Sequence, residues 1–170
     1  GIDAFYFAKS FKTVTHCEIN SALSSIVAHN YQQLKATNIN CYAGNGLDVL
    51  NDASSYFDCV YVDPSRRNDA KEKVFLLKDC EPNIPPNLDF IFTKSDVILI
   101  KNSPILDITN TINELKFVKE IHVVAIHNEV KELLFLLEKN TENPIEIKTI
   151  NFTKTGIQNF DFQYNSNSKA

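Results

Sequence analysis

The 170-residue sequence contains no methionine, not even at its first position. Because translation starts with methionine, we expect this chain to be a piece of a longer protein. The sequence also lacks any apolar run near the roughly 20 residues that a membrane span needs, and it shows no secretory signal at its start. We therefore expect a cytoplasmic protein with no membrane segment.

Patterns that bind metals or form disulfides are missing as well. The four cysteines include no Cys-x-x-Cys pair, and the four histidines form no His-x-His or His-Glu-x-x-His pattern. Zinc sites and disulfide scaffolds depend on such spacings, so we expect free thiols and no metal. The net charge is −4, whereas a nucleic-acid-binding protein usually carries a basic excess. Any RNA binding would therefore depend on a local patch or on another domain.

The sequence does contain an alternation of strand and helix patterns through most of its length. We predict strands at 13–18, 39–43, 57–62, 96–101, 120–126 and 145–152. We predict helices at 3–9, 20–34, 47–51, 107–116 and 129–139. Such alternation is typical of an α/β fold with a doubly wound, mostly parallel sheet.

The last third of the chain carries two further predictions. The helix at 129–139 is indicated by apolar residues at helical spacing, namely Val130, Leu133, Leu134 and Leu137. Residues 153–170 lose periodicity and end in small polar residues, which is typical of disorder. We therefore predict a domain at 1–152, followed by a tail or the start of a further domain at 153–170.

Polar residues follow the first two predicted strands. In α/β sheets the ligand lies beyond the carboxyl ends of the strands. Glu18 ends the first strand, where a carboxylate can accept hydrogen bonds from both hydroxyls of a ribose. Asn45 and Gly46 follow the second strand, where an amide suits an adenine edge and glycine lets the backbone approach a flat ring. Plainer interpretations are an acid favourable at a helix start for Glu18, and a turn before a helix for Asn45.

The next two strand ends add basic residues. Asp63 and Pro64 follow the third strand, and Arg66 and Arg67 come directly after them. A turn explains the first two residues, but adjacent guanidinium groups suit a phosphate or a carboxylate. Lys101 ends the fourth strand. The residues at this strand end are compatible equally with the start of a helix and with a role near the substrate.

These residues and their neighbours resemble class I S-adenosylmethionine-dependent methyltransferases. The similarity is strongest to bacterial methyltransferases with a THUMP-like, ferredoxin-like C-terminal domain. Those carry an Asp-Pro-(Ala/Ser)-Arg-Arg stretch and then a Phe-Leu-Leu-(Lys/Glu)-Asp-Cys-Glu-Pro stretch, found here at 63–67 and 75–82. The resemblance covers roughly residues 1–140 and includes the stretches 1–5, 18–20, 44–50, 57–64 and 127–133.

The resemblance implies S-adenosylmethionine as cofactor and assigns residues to it. Gly1 would be the last glycine of the loop that contacts the methionine half. Glu18 would hold the ribose hydroxyls, and Asn45, next to Gly46, would face the adenine. The first strand of this fold and the acid-rich start of its glycine loop would precede Gly1, so we expect that strand to be missing from this chain.

The resemblance also implies a catalytic pair. Asp63 and Pro64 stand where amino-methylating relatives carry an Asn/Asp-Pro-Pro-aromatic motif, in which the first side chain and the proline carbonyl hold a target amine. Here Ser65 and Arg66 replace the second proline and the aromatic residue. The resemblance therefore does not imply that an aromatic ring at position 66 stacks on a base. An arginine at this position, with Arg67 beside it, can stack on a base or hold a phosphate.

Three functions follow from these observations. The first is a methyltransferase acting on RNA, either rRNA or tRNA, because THUMP modules are linked to RNA. The second is a non-catalytic, methyltransferase-like module for RNA binding or assembly. The third is an NAD-dependent enzyme, which would use Glu18 but has no role for the stretch 63–67. The sequence does not indicate an oligomeric state.

Overall fold

The computed structural model describes residues 1–66 and 76–165. The chain divides into two compact units, Gly1–Ser54 and Ser55–Ala170. None of the helices in the described ranges is both long enough and apolar enough to cross a membrane.

Parallel strands and helices build the first unit. In chain order its elements are α1 (Ile2–Phe7), β1 (Val14–Glu18), α2 (Ser21–Gln33), β2 (Ile39–Ala43) and α3 (Gly46–Asp52). β1 and β2 pair in parallel, with Glu18 opposite Ala43 at their carboxyl ends. Each element overlaps one that the sequence predicts, so the alternation of strand and helix is confirmed in this unit.

Asn20 fixes the start of α2. Its side-chain oxygen accepts a hydrogen bond from the backbone nitrogen of Leu23 at 3.0 Å, which pairs one of the free N–H groups of the first turn. We expect Asn20→Ala to lower the free energy of unfolding by about 1 kcal/mol, measured by urea denaturation. Asn30→Ala, at an exposed position in the last turn of the same helix, is the matched control and should not destabilise, because alanine is a better helix former than asparagine. An equal loss in both variants would contradict the capping role.

A mixed sheet dominates the second unit. Its strands are β3 (Val60–Val62), β4 (Ser65–Arg66), β5 (Cys80–Glu81), β6 (Val97–Asn102), β7 (Val118–Ile126), β8 (Glu129–Glu138), β9 (Glu146–Thr153) and β10 (Gly156–Gln163). Its helices are α4 (Leu88–Ile91) and α5 (Ile108–Glu114), with 3-10 turns at Leu77–Asp79 and Pro85–Asn87. Across the described residues, six strands form one sheet in the order β10-β9-β7-β8-β6-β3.

Both strand directions occur in that sheet. β3 runs parallel to β6, and β7 runs parallel to β9. The neighbouring pairs β6–β8, β7–β8 and β9–β10 are antiparallel. The chain is therefore a mixed α/β protein, as the alternation predicts, whereas the doubly wound arrangement stays a prediction.

The core of the second unit lies on one face of this sheet. Phe135 of β8 is fully buried and stands between Ile100 of β6 and Ile121 of β7. Leu133 and Leu137, two residues away on either side, point to the same face and are also buried. β8 is therefore the strand on which the packing of this unit is centred.

The predicted helix at 129–139 is wrong, because these residues form β8. His127 and Asn128 both have positive φ, 53° and 66°, and join β7 to β8 in a tight hairpin. Positive φ at both central residues is the geometry of the two-residue turns that best match twisted strands. The leucines that suggested a helical stripe pair instead with strands on both sides.

The predicted disorder after residue 152 is also wrong for Gly156–Gln163. These residues form β10, which pairs antiparallel with β9 along its whole length. Gly156 opens the strand at φ 136°, a conformation that side chains rarely adopt. Residues 166–170 lie outside the described ranges, and the domain boundary at residue 152 stays a prediction.

Glu120 of β7 forms an ion-pair cluster away from the core. One carboxylate oxygen accepts from Lys148 Nζ at 2.9 Å and from His122 Nε2 at 3.0 Å, and the side chain is only 15% exposed. Burial raises the pKa of Glu120, but the hydrogen bonds and charges of Lys148 and His122 outweigh it, so the pKa lies below its ordinary value of 4.5. The ionised form of Glu120 is therefore favoured by folding.

The lowered pKa of Glu120 predicts a pH-dependent loss of stability. A carboxylate with a lowered folded pKa stabilises the protein above its unfolded pKa, and this contribution disappears as the pH falls through the folded value. Between pH 5 and 3, as followed by urea unfolding, the wild type should therefore lose more stability than Glu120→Gln. Glu142→Gln is the control, since Glu142 is exposed and forms no ion pair within the described residues. Parallel curves for wild type and Glu120→Gln would contradict this role.

Candidate functional site

The candidate residues fall in both units. The first unit holds Gly1, Glu18, Asn45 and Gly46. The second holds Asp63, Pro64, Arg66 and Lys101, while Arg67 lies outside the described residues.

In the first unit, the carboxyl ends of β1 and β2 lie side by side. The backbone nitrogen of Gly44 donates to the carbonyl of Glu18 at 2.9 Å. The parallel pairing continues to this point, so the residues that follow β2 emerge beside the acid that ends β1. The structure therefore brings Glu18 and Asn45 to one edge of the strand pair, as the sequence predicts.

Glu18 is half-buried and partly engaged. One carboxylate oxygen accepts from the backbone nitrogen of Asn20 at 2.8 Å, at the start of α2. The other oxygen has no hydrogen bond within the described residues. Glu18 thus supports the helix start, as its plainer interpretation holds, and keeps one oxygen available for a hydroxyl group.

Asn45 caps α3 with the same kind of contact. Its side-chain oxygen accepts from the backbone nitrogen of Leu47 at 2.9 Å. The oxygen is therefore used within the chain, and the NH₂ group is the part of the amide that remains for a ligand. If Asn45 meets an adenine edge, it does so as a donor.

The glycines around Asn45 differ in what they require. Gly44 has φ 153°, and an added Cβ would have nothing within 4 Å, so conformation rather than space selects glycine there. At Gly46 an added Cβ would lie 3.5 Å from Cys17 Cβ, an ordinary contact. The backbone of this unit therefore needs glycine at position 44 and tolerates a side chain at 46.

Gly1 lies against α2. Its carbonyl accepts a hydrogen bond from the Tyr31 hydroxyl at 2.6 Å, and an added Cβ would come within 3.1 Å of the Val27 side chain. Packing inside the unit is thus sufficient to explain glycine at this position. The sequence predicts Tyr31 only as part of an apolar helix face, and no local signal shows its contact with Gly1.

In the second unit, Asp63 and Lys101 form an ion pair. β3 and β6 are parallel, with Val62 opposite Ile100, so the next residues on the two strands are also neighbours. Lys101 Nζ lies 2.8 Å from Asp63 Oδ2, and the exposed fractions of the two side chains are 18% and 50%. The ammonium group is therefore largely shielded, while the carboxylate faces solvent.

The two stretches that carry the strongest resemblance lie next to each other. β4 pairs antiparallel with β5, placing Ser65 opposite Glu81 and Arg66 opposite Cys80. Pro64 is half-buried between the ion-paired Asp63 and this short ribbon. Residues 14 and 16 positions apart in sequence are thus brought together directly after β3.

Asn102 is a polar residue that the sequence did not single out. It ends β6, directly after Lys101, and is 5% exposed. Its side-chain Nδ2 is buried without a hydrogen-bond partner in the described structure. A buried amide without a partner is energetically costly. The burial of Asn102 is visible in the folded strand and not in the sequence.

The cysteines are free thiols, as predicted. Cys17, Cys41 and Cys59 are half-buried and Cys80 is buried. Burial raises the pKa of the Cys17, Cys41 and Cys59 thiols, which favours the unreactive protonated form. Within the described ranges, His, Cys, Asp and Glu side chains form no group of three that could hold a metal ion.

Comparison with known proteins gives a structural likeness. No protein-family model and no curated protein matches the sequence. Among solved structures, the chain is similar to a putative methyltransferase from Porphyromonas gingivalis W83, with a TM-score of 0.85 and 30% identity. The match covers 96% of this chain and 41% of that protein. This chain therefore shares its fold with part of that protein and spans less than half of its length.

Proposed function

We propose that this chain is part of an S-adenosylmethionine-dependent methyltransferase. The observation that carries this proposal is the likeness to the Porphyromonas gingivalis protein, at a TM-score of 0.85 and 30% identity over 96% of the chain. The resemblance of the sequence stretches to class I methyltransferases supports it independently of the fold. The activity is proposed for the whole protein, since the chain spans 41% of its structural relative.

The first unit supplies the proposed cofactor residues. Glu18 keeps one carboxylate oxygen without a hydrogen bond in the described residues, which fits a ribose hydroxyl. Asn45 keeps its NH₂ group, which fits an acceptor on the adenine edge. Gly1 and Gly46 expose backbone without a side chain, which fits close approach by the methionine half and the adenine, respectively. These donors and acceptors are complementary to S-adenosylmethionine.

The second unit supplies the proposed substrate residues. When bound, S-adenosylmethionine supplies a methyl group already activated by its sulfonium, so the protein mainly has to position and desolvate the acceptor. Asp63 would accept a hydrogen bond from the target nitrogen and take its proton. The ion pair with Lys101 holds the carboxylate in one orientation, and the Pro64 carbonyl would accept a second hydrogen bond.

The proposed substrate is RNA, either rRNA or tRNA, in the cytoplasm. The resemblance to methyltransferases with THUMP-like domains supports this assignment, and Arg66 and Arg67 supply groups that bind phosphate or stack on a base. The net charge of −4 gives no general attraction to the RNA backbone. Recognition would therefore rest on this local pair of arginines and on other parts of the protein.

The test is methyl transfer by the protein from methyl-labelled S-adenosylmethionine to total bacterial RNA. We expect label in RNA, lost after ribonuclease treatment and traceable to one modified nucleoside by mass spectrometry. Label in protein alone would overturn the RNA assignment. Calorimetry should show binding of S-adenosylmethionine and not of NAD; the reverse would overturn the cofactor assignment.

A non-catalytic RNA-binding or assembly module is the second candidate. It is favoured by Ser65 and Arg66 in place of the proline and aromatic residue of amino-methylating relatives, and by the ion pair that occupies Asp63. Binding of S-adenosylmethionine and RNA without methyl incorporation into any RNA pool would select this candidate.

A further inference from the structure

Tyr31 is a buried tyrosine whose hydroxyl reaches a distant part of the chain. The side chain lies near the end of α2 and is 5% exposed. Its hydroxyl donates to the Gly1 carbonyl at 2.6 Å, across a separation of 30 residues. The hydrogen bond ties the start of α1 to α2.

The position of Gly1 is fixed by two further contacts. The backbone nitrogen of Phe5 donates to the same carbonyl at 3.4 Å, as the first bond of α1. On the other side, Val27 comes so close that an added Cβ would lie 3.1 Å from it. Of the two hydrogen bonds to the carbonyl, the one from Tyr31 is shorter and is the one that orients it toward α2.

The Tyr31 ring also contacts the strand that carries Glu18. It packs edge-on against His16 of β1, with ring centroids 5.8 Å apart. His16 and Glu18 are two residues apart and point to the same face of the strand. Tyr31 therefore connects Gly1, proposed to meet the methionine half of the cofactor, with the strand that holds the proposed ribose-binding acid.

We infer that Tyr31 is a positioning residue for the cofactor, acting through its hydrogen bond to the Gly1 carbonyl. This role rests on the proposed function. Tyr31 orients the backbone that meets the methionine half, whereas Glu18 and Asn45 recognise the adenosine half. Loss of the Tyr31 hydroxyl should therefore weaken the contacts to the methionine half of the cofactor and leave those to the adenosine half unchanged.

Two ligands and two tyrosine variants test this role. Calorimetry on the whole protein would compare the wild type, Tyr31→Phe and Tyr42→Phe, each with S-adenosylmethionine and with adenosine. Tyr42 is the matched control because it lies in the same unit, on β2, but is 48% exposed and has no hydrogen bond from its side chain within the described residues. Thermal unfolding of each variant would accompany the titrations.

Tyr31→Phe is expected to weaken S-adenosylmethionine binding about tenfold, the effect of one lost hydrogen bond. Adenosine binding should stay within about twofold of wild type, and Tyr42→Phe should change neither ligand. Burial raises the pKa of Tyr31 to about 12, so the hydroxyl remains a donor and the effect should be the same at pH 6 and pH 9.

Each contrary result has its own meaning. Equal weakening of both ligands would show a general loosening of the unit and overturn the positioning role. Unchanged binding of S-adenosylmethionine would overturn it as well. A wild type that binds neither ligand would instead overturn the proposed function, independently of Tyr31.

Gly1→Ala provides a second route if Tyr31→Phe does not fold. The added methyl group would lie 3.1 Å from the Val27 side chain, a crowded contact that must relax by a few tenths of an ångström. We expect the Gly1 carbonyl to shift with it, which should also weaken S-adenosylmethionine binding selectively. Combining Gly1→Ala with Val27→Ala removes the crowding and should restore binding. Failure of this rescue would show that the position of Gly1 is not what determines affinity.

Discussion

Asp63→Ala is expected to lower the rate of methyl transfer by about 10²–10⁴-fold, the usual contribution of a positioned acid or base. Asp63 is proposed to orient the target nitrogen and to take its proton. Its carboxylate is half exposed and held by Lys101 at 2.8 Å, so it is both accessible and oriented. Binding of S-adenosylmethionine should stay nearly unchanged, because the residues proposed to hold the cofactor are Gly1, Glu18, Asn45 and Gly46, and the variant alters none of them. The measurements are single-turnover methyl transfer and calorimetry.

Two variants separate catalysis from structure in this experiment. Asp63→Asn keeps a side-chain oxygen that accepts a hydrogen bond but removes the charge, so it should retain more activity than alanine if orientation dominates over proton removal. Asp58→Asn changes an exposed acid just before β3 and should behave as wild type. Full activity of Asp63→Ala would remove Asp63 from the mechanism, whatever the substrate proves to be.

Removal of Asp63 also removes the ion pair between its carboxylate and Lys101. The Lys101 side chain is 18% exposed, and loss of an ion-pair partner from a shielded charge is destabilising. Asp63→Ala should therefore be compared with Asp63→Ala combined with Lys101→Met, which removes the ammonium group as well. Stability regained without activity would show that Asp63 acts in the reaction and not only in folding.

The first unit could be predicted from sequence because its signals are local. Asn20 stands before an apolar helix face, and Gly44 and Asn45 end a short strand and begin a helix. Capping groups and turn glycines act within a few residues, so their effects are visible in the sequence itself. The structure places both helix starts within one residue of the predicted positions.

β8 could not be predicted in the same way, because its signal is ambiguous. The continuous apolar run 133–137 fits a helix stripe and also fits a central strand buried by partners on both sides. Whether these residues form a helix or a strand depends on their pairing with β6 and β7. β6 is distant in sequence, and β7 is joined to β8 by a turn that lacks the usual Asn-Gly pair. His127 and Asn128 make that turn, and this pair is not a typical sequence signal for it.

The residue types of the candidate site can be predicted from sequence, but the contacts between their side chains cannot. Asp63 and Lys101 were given separate roles, since their contact depends on the register of β3 and β6. The hydrogen bond from Tyr31 spans 30 residues, so no local pattern predicts it. Side chains at strand ends can thus be chosen from sequence, whereas the contacts that orient them require the register.

Phe135→Ala is expected to lower the free energy of unfolding by about 3–5 kcal/mol, measured by urea denaturation. Phe135 is fully buried in β8 between two neighbouring strands, so its removal leaves a cavity that the sheet cannot close. Phe160→Ala is the matched control, because Phe160 is 66% exposed on the edge strand β10 and should cost less than about 1 kcal/mol. A helix at 129–139 would place Phe135 off the stripe formed by Val130, Leu133, Leu134 and Leu137, where truncation costs little. A small effect at Phe135 would therefore contradict the central strand, and a large one would exclude the helix that the sequence suggested.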